Sequence, residues 1–175
     1  MRDIISGMAD TAPARAGTTD SERRACLRLL SYGLYAVTVC HGAEHSGFTA
    51  NWLTQISFDP PLLAVSVENG SHSITLLRKS GVFNVNLLAR DASATAGTLG
   101  RHWARVPDKL DRVGWEPGPN GCPVLHDALG YLECAVDASL PAGDSTLFVA
   151  RITGARLLRE GEPLRMADTP FKHAG

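Results

Sequence analysis

Gly47-Phe48-Thr49-Ala50-Asn51-Trp52-Leu53-Thr54-Gln55-Ile56-Ser57-Phe58-Asp59-Pro60-Pro61-Leu62 is the stretch on which the reading of the fold turns. It reads as a strand unusually dense in hydroxyl and amide side chains for a segment flanked by apolar runs. Such groups must find partners wherever they are buried. Two readings stay open on the residues alone. One is a wet edge strand or polar interface, and the other is a strand whose donors meet the polar edge and phosphate of a ligand.

Upstream, Leu34-Tyr35-Ala36-Val37-Thr38-Val39-Cys40 is β-branched and aromatic, and a polar, glycine-containing turn from His41 to Ser46 joins it to the quoted stretch as a hairpin. Before that hairpin, Thr19 and Glu22 form a capping-box signal, and Ala25, Leu29 and Leu30 recur at helical spacing until Gly33. This predicts one amphipathic helix. Met1 to Thr18 is rich in Ala, Gly, Thr and Pro, with only the short apolar run Ile4-Ile5, and is expected to be a flexible arm of a cytoplasmic protein.

Downstream, Asp59-Pro60-Pro61 interrupts pairing because proline lacks the N–H that a ladder needs, and Leu62 to Val67 resumes as a buried strand. Asn69-Gly70-Ser71 turns into a helix predicted over Ser71 to Lys79 and closed by Gly81. Val82 to Leu88 is the next strand, Asp91 to Leu99 a third short helix, and the polar Gly100 to Gly121 a long loop. Leu129 to Ala138 and Thr146 to Leu158 flank Pro141-Ala142-Gly143-Asp144 and predict a second hairpin. Many strands with few short helices point to a β-barrel with helical decoration, in one domain spanning residues 19–175.

Composition excludes several functions. The 175 residues are 44% hydrophobic, enough for one globular core, and 17 basic against 18 acidic residues leave no field to hold a nucleic-acid backbone. No segment is long and apolar enough for a membrane helix. Cys26, Cys40, Cys122 and Cys134 form no C-x-x-C pair and have apolar neighbours, so buried free thiols are expected. Gly-x-Gly-x-x-Gly, the P-loop and Gly-x-Ser-x-Gly are absent. His41 and His45 sit in a predicted turn with only Glu44 nearby, which is too few ligands for a metal. Asp108 and Asp111 bracket Lys109 as a solvated charge cluster, and His72, His102 and His126 show no triad partner.

The second ligand-like feature is Ser71-His72-Ser73 opening a helix that also carries Thr75, Arg78 and Lys79. Hydroxyls, free N–H groups and cations at a helix N-terminus suit an anion, although an ordinary Ser cap with exposed basic residues accounts for the same pattern. Together the two segments suggest a phosphorylated aromatic ligand.

Gly47 to Leu62, then Val65 to Ser73, then Ser80-Gly81-Val82-Phe83-Asn84-Val85-Asn86-Leu87-Leu88, follow in order a pattern that resembles the flavin reductase-like, FMN-binding split-barrel family. Gly121-Cys122-Pro123-Val124-Leu125, Tyr131-Leu132-Glu133-Cys134, the Gly143-Asp144 hairpin and the ending from Glu162-Pro163-Leu164 extend the likeness. The resemblance implies a six-stranded Greek-key split barrel, homodimeric, with FMN or FAD near the interface. It places Thr49, Ala50, Asn51, Trp52, Ser66 and Val67 at the isoalloxazine, Ser71, Thr75 and Lys79 at the phosphate, and Asn86 in support. It also implies reduction of that flavin by NADH or NADPH, with reduced flavin passed to a partner monooxygenase.

Two positions depart from the family pattern. Its usual Gly-Asp-His is Gly143-Asp144-Ser145 here, and a common tyrosine is His173. Both fall where relatives approach the open face of the flavin, so Ser145 and His173 are the candidate catalytic positions. The departures leave three expectations: an NAD(P)H-dependent flavin reductase, a flavoprotein with a changed substrate or electron donor, and a non-catalytic flavin-binding protein.

Overall fold

A computed structural model of the protein describes Gly17 and residues 19–171. The proposed arm over residues 1–18 therefore lies almost wholly outside the described residues, and His173 lies outside them too.

The first helix, α1 (Asp20–Leu27), starts at the expected capping box: the Thr19 side chain accepts from the Glu22 backbone, and Glu22 returns a bond to Thr19. It stops at Arg28, short of Gly33, and none of its residues is buried. Leu29 and Leu30 are exposed as well. The helix forms where expected, but among the described residues none buries its apolar side.

β1 (Tyr35–His41) and β2 (Glu44–Ala50) form the first hairpin around Gly42-Ala43, where Gly42 takes φ 61°. The turn is tighter than expected because glycine adopts the left-handed conformation without a Cβ clash. β3 (Leu53–Phe58) and β4 (Pro61–Glu68) form the next hairpin through Asp59-Pro60, a cis peptide. α2 (His72–Ser80) is capped by Ser71 and ended by Gly81 at φ 68°. β5 (Val82–Leu88) and α3 (Ser93–Leu99) follow. The polar segment expected as a loop contains a small ladder of β6 (Trp115–Pro117) with β7 (Pro123–Leu125). β8 (Ala128–Ala142) and β9 (Ser145–Leu157) form a long hairpin that reaches to Gly143-Asp144.

Seven strands make one sheet in the order β2-β1-β5-β8-β9-β4-β3, antiparallel throughout. The two edge strands, β2 and β3, are consecutive in sequence and separated only by Asn51 and Trp52. The three steps from Ala50 to Leu53 span at most about 11 Å. The sheet must therefore curl enough to bring the end of β2 to the start of β3, and the quoted Gly47–Leu62 stretch becomes the seam. The fold is mainly β with a few short helices. The sheet counts seven strands because the run expected as one strand breaks at Asn51-Trp52.

Inside the curl, Val37, Val39, Leu63, Val65, Val67, Phe83, Val85 and Phe148 pack with Ile74, Leu76 and Leu77 of α2. On the other side of β1, Ala36 joins Leu88, Ala96, Leu99, Leu110, Leu125 and Leu164. Both faces of β1 are buried, which is why its sequence runs apolar without polar alternation. Removing such side chains from water stabilises the fold by about 1.5–3 kcal/mol each.

β5 alternates Phe83 and Val85 toward the core with Asn84 and Asn86 toward the β7 segment. Asn84 Nδ2 donates to Cys122 O at 2.9 Å, and Asn86 Oδ1 accepts from Leu125 N at 2.8 Å. Thr38 Oγ1 donates to Pro123 O at 2.6 Å. These bonds pin residues 120–125 against the sheet. Cys40, Cys122 and Cys134 are buried free thiols, with Cys40 Sγ 2.7 Å from Cys122 Sγ, whereas Cys26 is exposed because α1 is. Burial pushes the Cys134 thiol up to about 12 and raises Cys122 as well.

Candidate functional site

The seam opens onto a cavity of about 550 Å³ built by five parts of the chain. Phe48, Thr49, Ala50, Asn51 and Trp52 come from the end of β2 and the break after it. Ser66, Val67 and Glu68 come from the end of β4, and Ser71, His72 and Ser73 from the start of α2. Leu99 to Trp103, with Lys109, close one side, and Asp144 comes from the tip of the β8–β9 hairpin.

Local bonds hold these parts in register. Ser66 N donates to Trp52 O at 3.0 Å, tying the break to β4. Thr49 Oγ1 donates to Ala96 O at 2.6 Å, seating α3 on β2. Ser46 and Ser73 share a buried hydroxyl contact of 2.9 Å, which fixes the start of α2 against β2. His72 and Trp103 stack with ring centroids 4.5 Å apart and planes 20° apart.

Lys109 is the least expected member. The residue is only 6% exposed, and its ammonium donates to Leu99 O at 2.7 Å and to Arg101 O at 2.9 Å. A solvated cluster with Asp108 and Asp111 was the sequence expectation, and the structure corrects it. Asp108 pairs with Arg112, while Lys109 turns inward beside buried Val106 and Leu110. Its cation satisfies carbonyls that the end of α3 leaves without intrahelical donors. Burial lowers the Lys109 pKa to about 8 against an opposing pull from the Glu68 carboxylate.

Of the residues singled out in the sequence, Thr49, Ala50, Asn51, Trp52, Ser66, Val67 and Ser71 line this one cavity. Thr75 and Lys79 do not. Four residues apart on α2, they share its exposed face, opposite the face that buries Ser73, Ile74 and Leu77. Asn86 is wholly buried and bonds to Ala36 O, Thr38 Oγ1 and Leu125 N, so it braces the sheet and does not line the cavity. Ser145 is 2% exposed and donates to Asp144 Oδ1 at 3.0 Å, and it is Asp144 that reaches the cavity. Thr49 also differs from expectation, because its one hydroxyl proton is already given to Ala96 O.

Phe48, Glu68, Arg101, Trp103, Lys109 and Asp144 line the cavity without having been assigned to it from sequence. The single available signal was Lys109 among Val106, Leu110 and Val113, an apolar spacing around a cation. No group of three or more metal-ligating side chains converges among the described residues.

An elongated aromatic with a polar edge fits this lining. Trp52, Trp103 and Phe48 offer ring surface, the Asn51 amide and the Ser66 and Ser71 hydroxyls offer polar contacts, and the volume lies in the range of cofactor pockets. Preformed donors and acceptors along one edge would fix a ring in the plane, and the aromatic walls would exclude water from its face.

A flavin reductase like domain model matches residues 27–175. The high molecular weight rubredoxin of Moorella thermoacetica is 32% identical over 143 residues, covering 81% of this chain and 62% of that protein. The reductase subunit HsaB of a flavin-dependent monooxygenase from Rhodococcus jostii is 27% identical over 155 residues, covering 89% of this chain and 78% of the subunit. Some curated relatives are much longer, the chain spanning only 38% of one of them. Among solved structures, the Streptomyces globisporus NADH:FAD oxidoreductase SgcE6, in complex with NAD and FAD fragments, superposes with a TM-score of 0.77. It is 27% identical, with 89% of this chain and 92% of that one covered. With the family model covering all but the first 26 residues, the chain belongs to the flavin reductase like domain family.

Proposed function

We propose that this chain binds FMN or FAD in the seam cavity and reduces it with NADH or NADPH, handing reduced flavin to a monooxygenase. The observation that carries this reading is the convergence of Thr49–Trp52, Ser66–Val67 and Ser71 on one aromatic-walled cavity. Similarity to an NADH:FAD oxidoreductase and to a monooxygenase reductase subunit supports the activity and the partner. The flavin itself supplies the hydride-accepting ring.

The chain's part is to hold and orient. Asn51, with the backbone of Ala50 and Trp52, contacts the polar edge of the ring, Ser66 and Val67 approach from β4, and Ser71 faces the phosphate side. Trp52 and Trp103 shut out water. A curled sheet whose edges are joined through Asn51-Trp52 acts as the split barrel. A second copy covers the exposed edge strand β3, where Ile56 and Phe58 are 48% and 90% exposed. Buried free thiols suit a cytoplasmic setting, and no helix among the described residues is long and apolar enough to cross a membrane.

A second reading, a changed electron donor or substrate, is favoured by Ser145. Its hydroxyl is turned to Asp144 inside the hairpin, at the position where the family pattern suggests histidine, and Asp144 reaches the cavity. Titration of the purified protein with FMN and FAD, followed by anaerobic NADH or NADPH, separates these readings. Flavin that binds and is bleached supports the first, flavin that binds and stays oxidised supports the second, and no binding removes both.

A further inference from the structure

Four cationic side chains stand near the cavity or the helix beside it, and three are committed or face away. Lys109 spends its ammonium on Leu99 O and Arg101 O. Arg78 donates to Thr146 Oγ1 at 3.0 Å and to Asn69 Oδ1 at 3.5 Å. Lys79 lies on the exposed face of α2, outside the cavity. Arg101 remains: it lines the cavity, and among the described residues its guanidinium has neither a carboxylate nor a hydrogen-bond partner.

The backbone that presents Arg101 is fixed on both sides. Its own carbonyl accepts the Lys109 ammonium, and two residues on, Trp103 is stacked against His72. The carboxylates at the cavity have other neighbours. Glu68 lies close enough to Lys109 to act on its ionisation, and Asp144 accepts from Ser145 Oγ. The unspent charge on the cavity wall is therefore positive and carries a planar fork of donors, the geometry that grips phosphoryl oxygens in pairs.

We propose that Arg101 binds the phosphoryl group of the cavity's ligand, with Lys109 and the His72–Trp103 stack holding it in position. This rests on the flavin reading above. Two sources share the chemistry: the phosphate of the flavin and the pyrophosphate of the nicotinamide dinucleotide.

The test compares each partner with its phosphate-free counterpart in the full-length protein. FMN and riboflavin are titrated by fluorescence, and NADH is compared kinetically with 1-benzyl-1,4-dihydronicotinamide, in the unmodified chain, Arg101→Ala and Arg101→Lys. Arg101→Ala should weaken FMN about tenfold or more while riboflavin stays within about twofold, and Arg101→Lys should recover part of the loss. Unchanged binding of both flavins with a raised KM for NADH, and an unchanged rate with the benzyl compound, would assign Arg101 to the dinucleotide instead. Equal losses for phosphorylated and phosphate-free partners, or no loss for any, would overturn the proposal. Failure of the unmodified protein to bind either flavin would overturn the flavin reading, and this proposal with it.

Discussion

Thr49 and Asn51 sit two residues apart on the same stretch, yet the structure gives them different work. Thr49 holds α3 through Ala96 O, whereas Asn51 lines the cavity at the break between strands. Thr49→Val should therefore cost about 1 kcal/mol of stability by removing one of the two donors to Ala96 O, which keeps its bond from Gly100 N, read as a lower urea midpoint. Asn51→Ala should instead weaken flavin binding by about 1–3 kcal/mol. A midpoint unchanged in the valine variant would mean that the Ala96 bond contributes nothing. Lys109 offers a pH test. Its folded-state value, lowered by burial to about 8, lies below the ordinary 10.5, so between these values the unfolded chain binds more protons than the folded one. Stability contributed by this group must rise as pH climbs through that window, by something on the order of 3 kcal/mol in all. The burdened state is the one below pH 8. Lys109→Met should remove the rise, and parallel urea curves for both proteins across that window would contradict the assignment. The Thr49 bond was not legible in the sequence, and for Lys109 the apolar spacing of Val106, Leu110 and Val113 was the one hint of which way the lysine points. That depends on α3 ending, far from the lysine's own turn, with carbonyls that need a donor.

Among the elements, the β8–β9 hairpin carries Ser145, the position at which the resemblance leads one to expect histidine. Ser145 pairs in register with Glu68 of β4 and is almost fully buried, so a histidine there must either displace neighbours or swing toward the cavity beside Asp144. Ser145→His should lower the melting temperature modestly and speed reduction of bound flavin by NADH, leaving flavin affinity nearly unchanged. A faster unmodified enzyme would return serine to neutral drift. The hairpins and α2 were readable because their signals are local: Ser71 and Gly81 bracket α2, and proline or glycine marks each turn. The β6–β7 ladder was not, because three-residue strands held by Asn84, Asn86 and Thr38 owe their existence to side chains far away in sequence.

Across the whole molecule, one break in one strand creates the site. Apolar periodicity and turn chemistry foretold a β-rich domain, and the run from Gly47 to Leu62 foretold much of the cavity wall. The Leu99–Trp103 wall was hidden, since only the curl of the sheet brings it opposite β4. Ile56 and Phe58 on edge strand β3, and Leu29 and Leu30 after α1, are exposed. Light scattering should find a dimer at micromolar concentration, and Ile56→Asp with Phe58→Asp should shift it to monomer. A flavin-binding monomer in the unmodified chain would remove the second copy from the site. The central claim is that the cavity holds flavin for reduction by a nicotinamide, and anaerobic stopped-flow addition of NADH or NADPH to the flavin-loaded protein tests it most directly. Rapid loss of the long-wavelength flavin absorbance, slowed by Asn51→Ala at subsaturating flavin, is the predicted result. Bound flavin that stays oxidised with both nucleotides would contradict it.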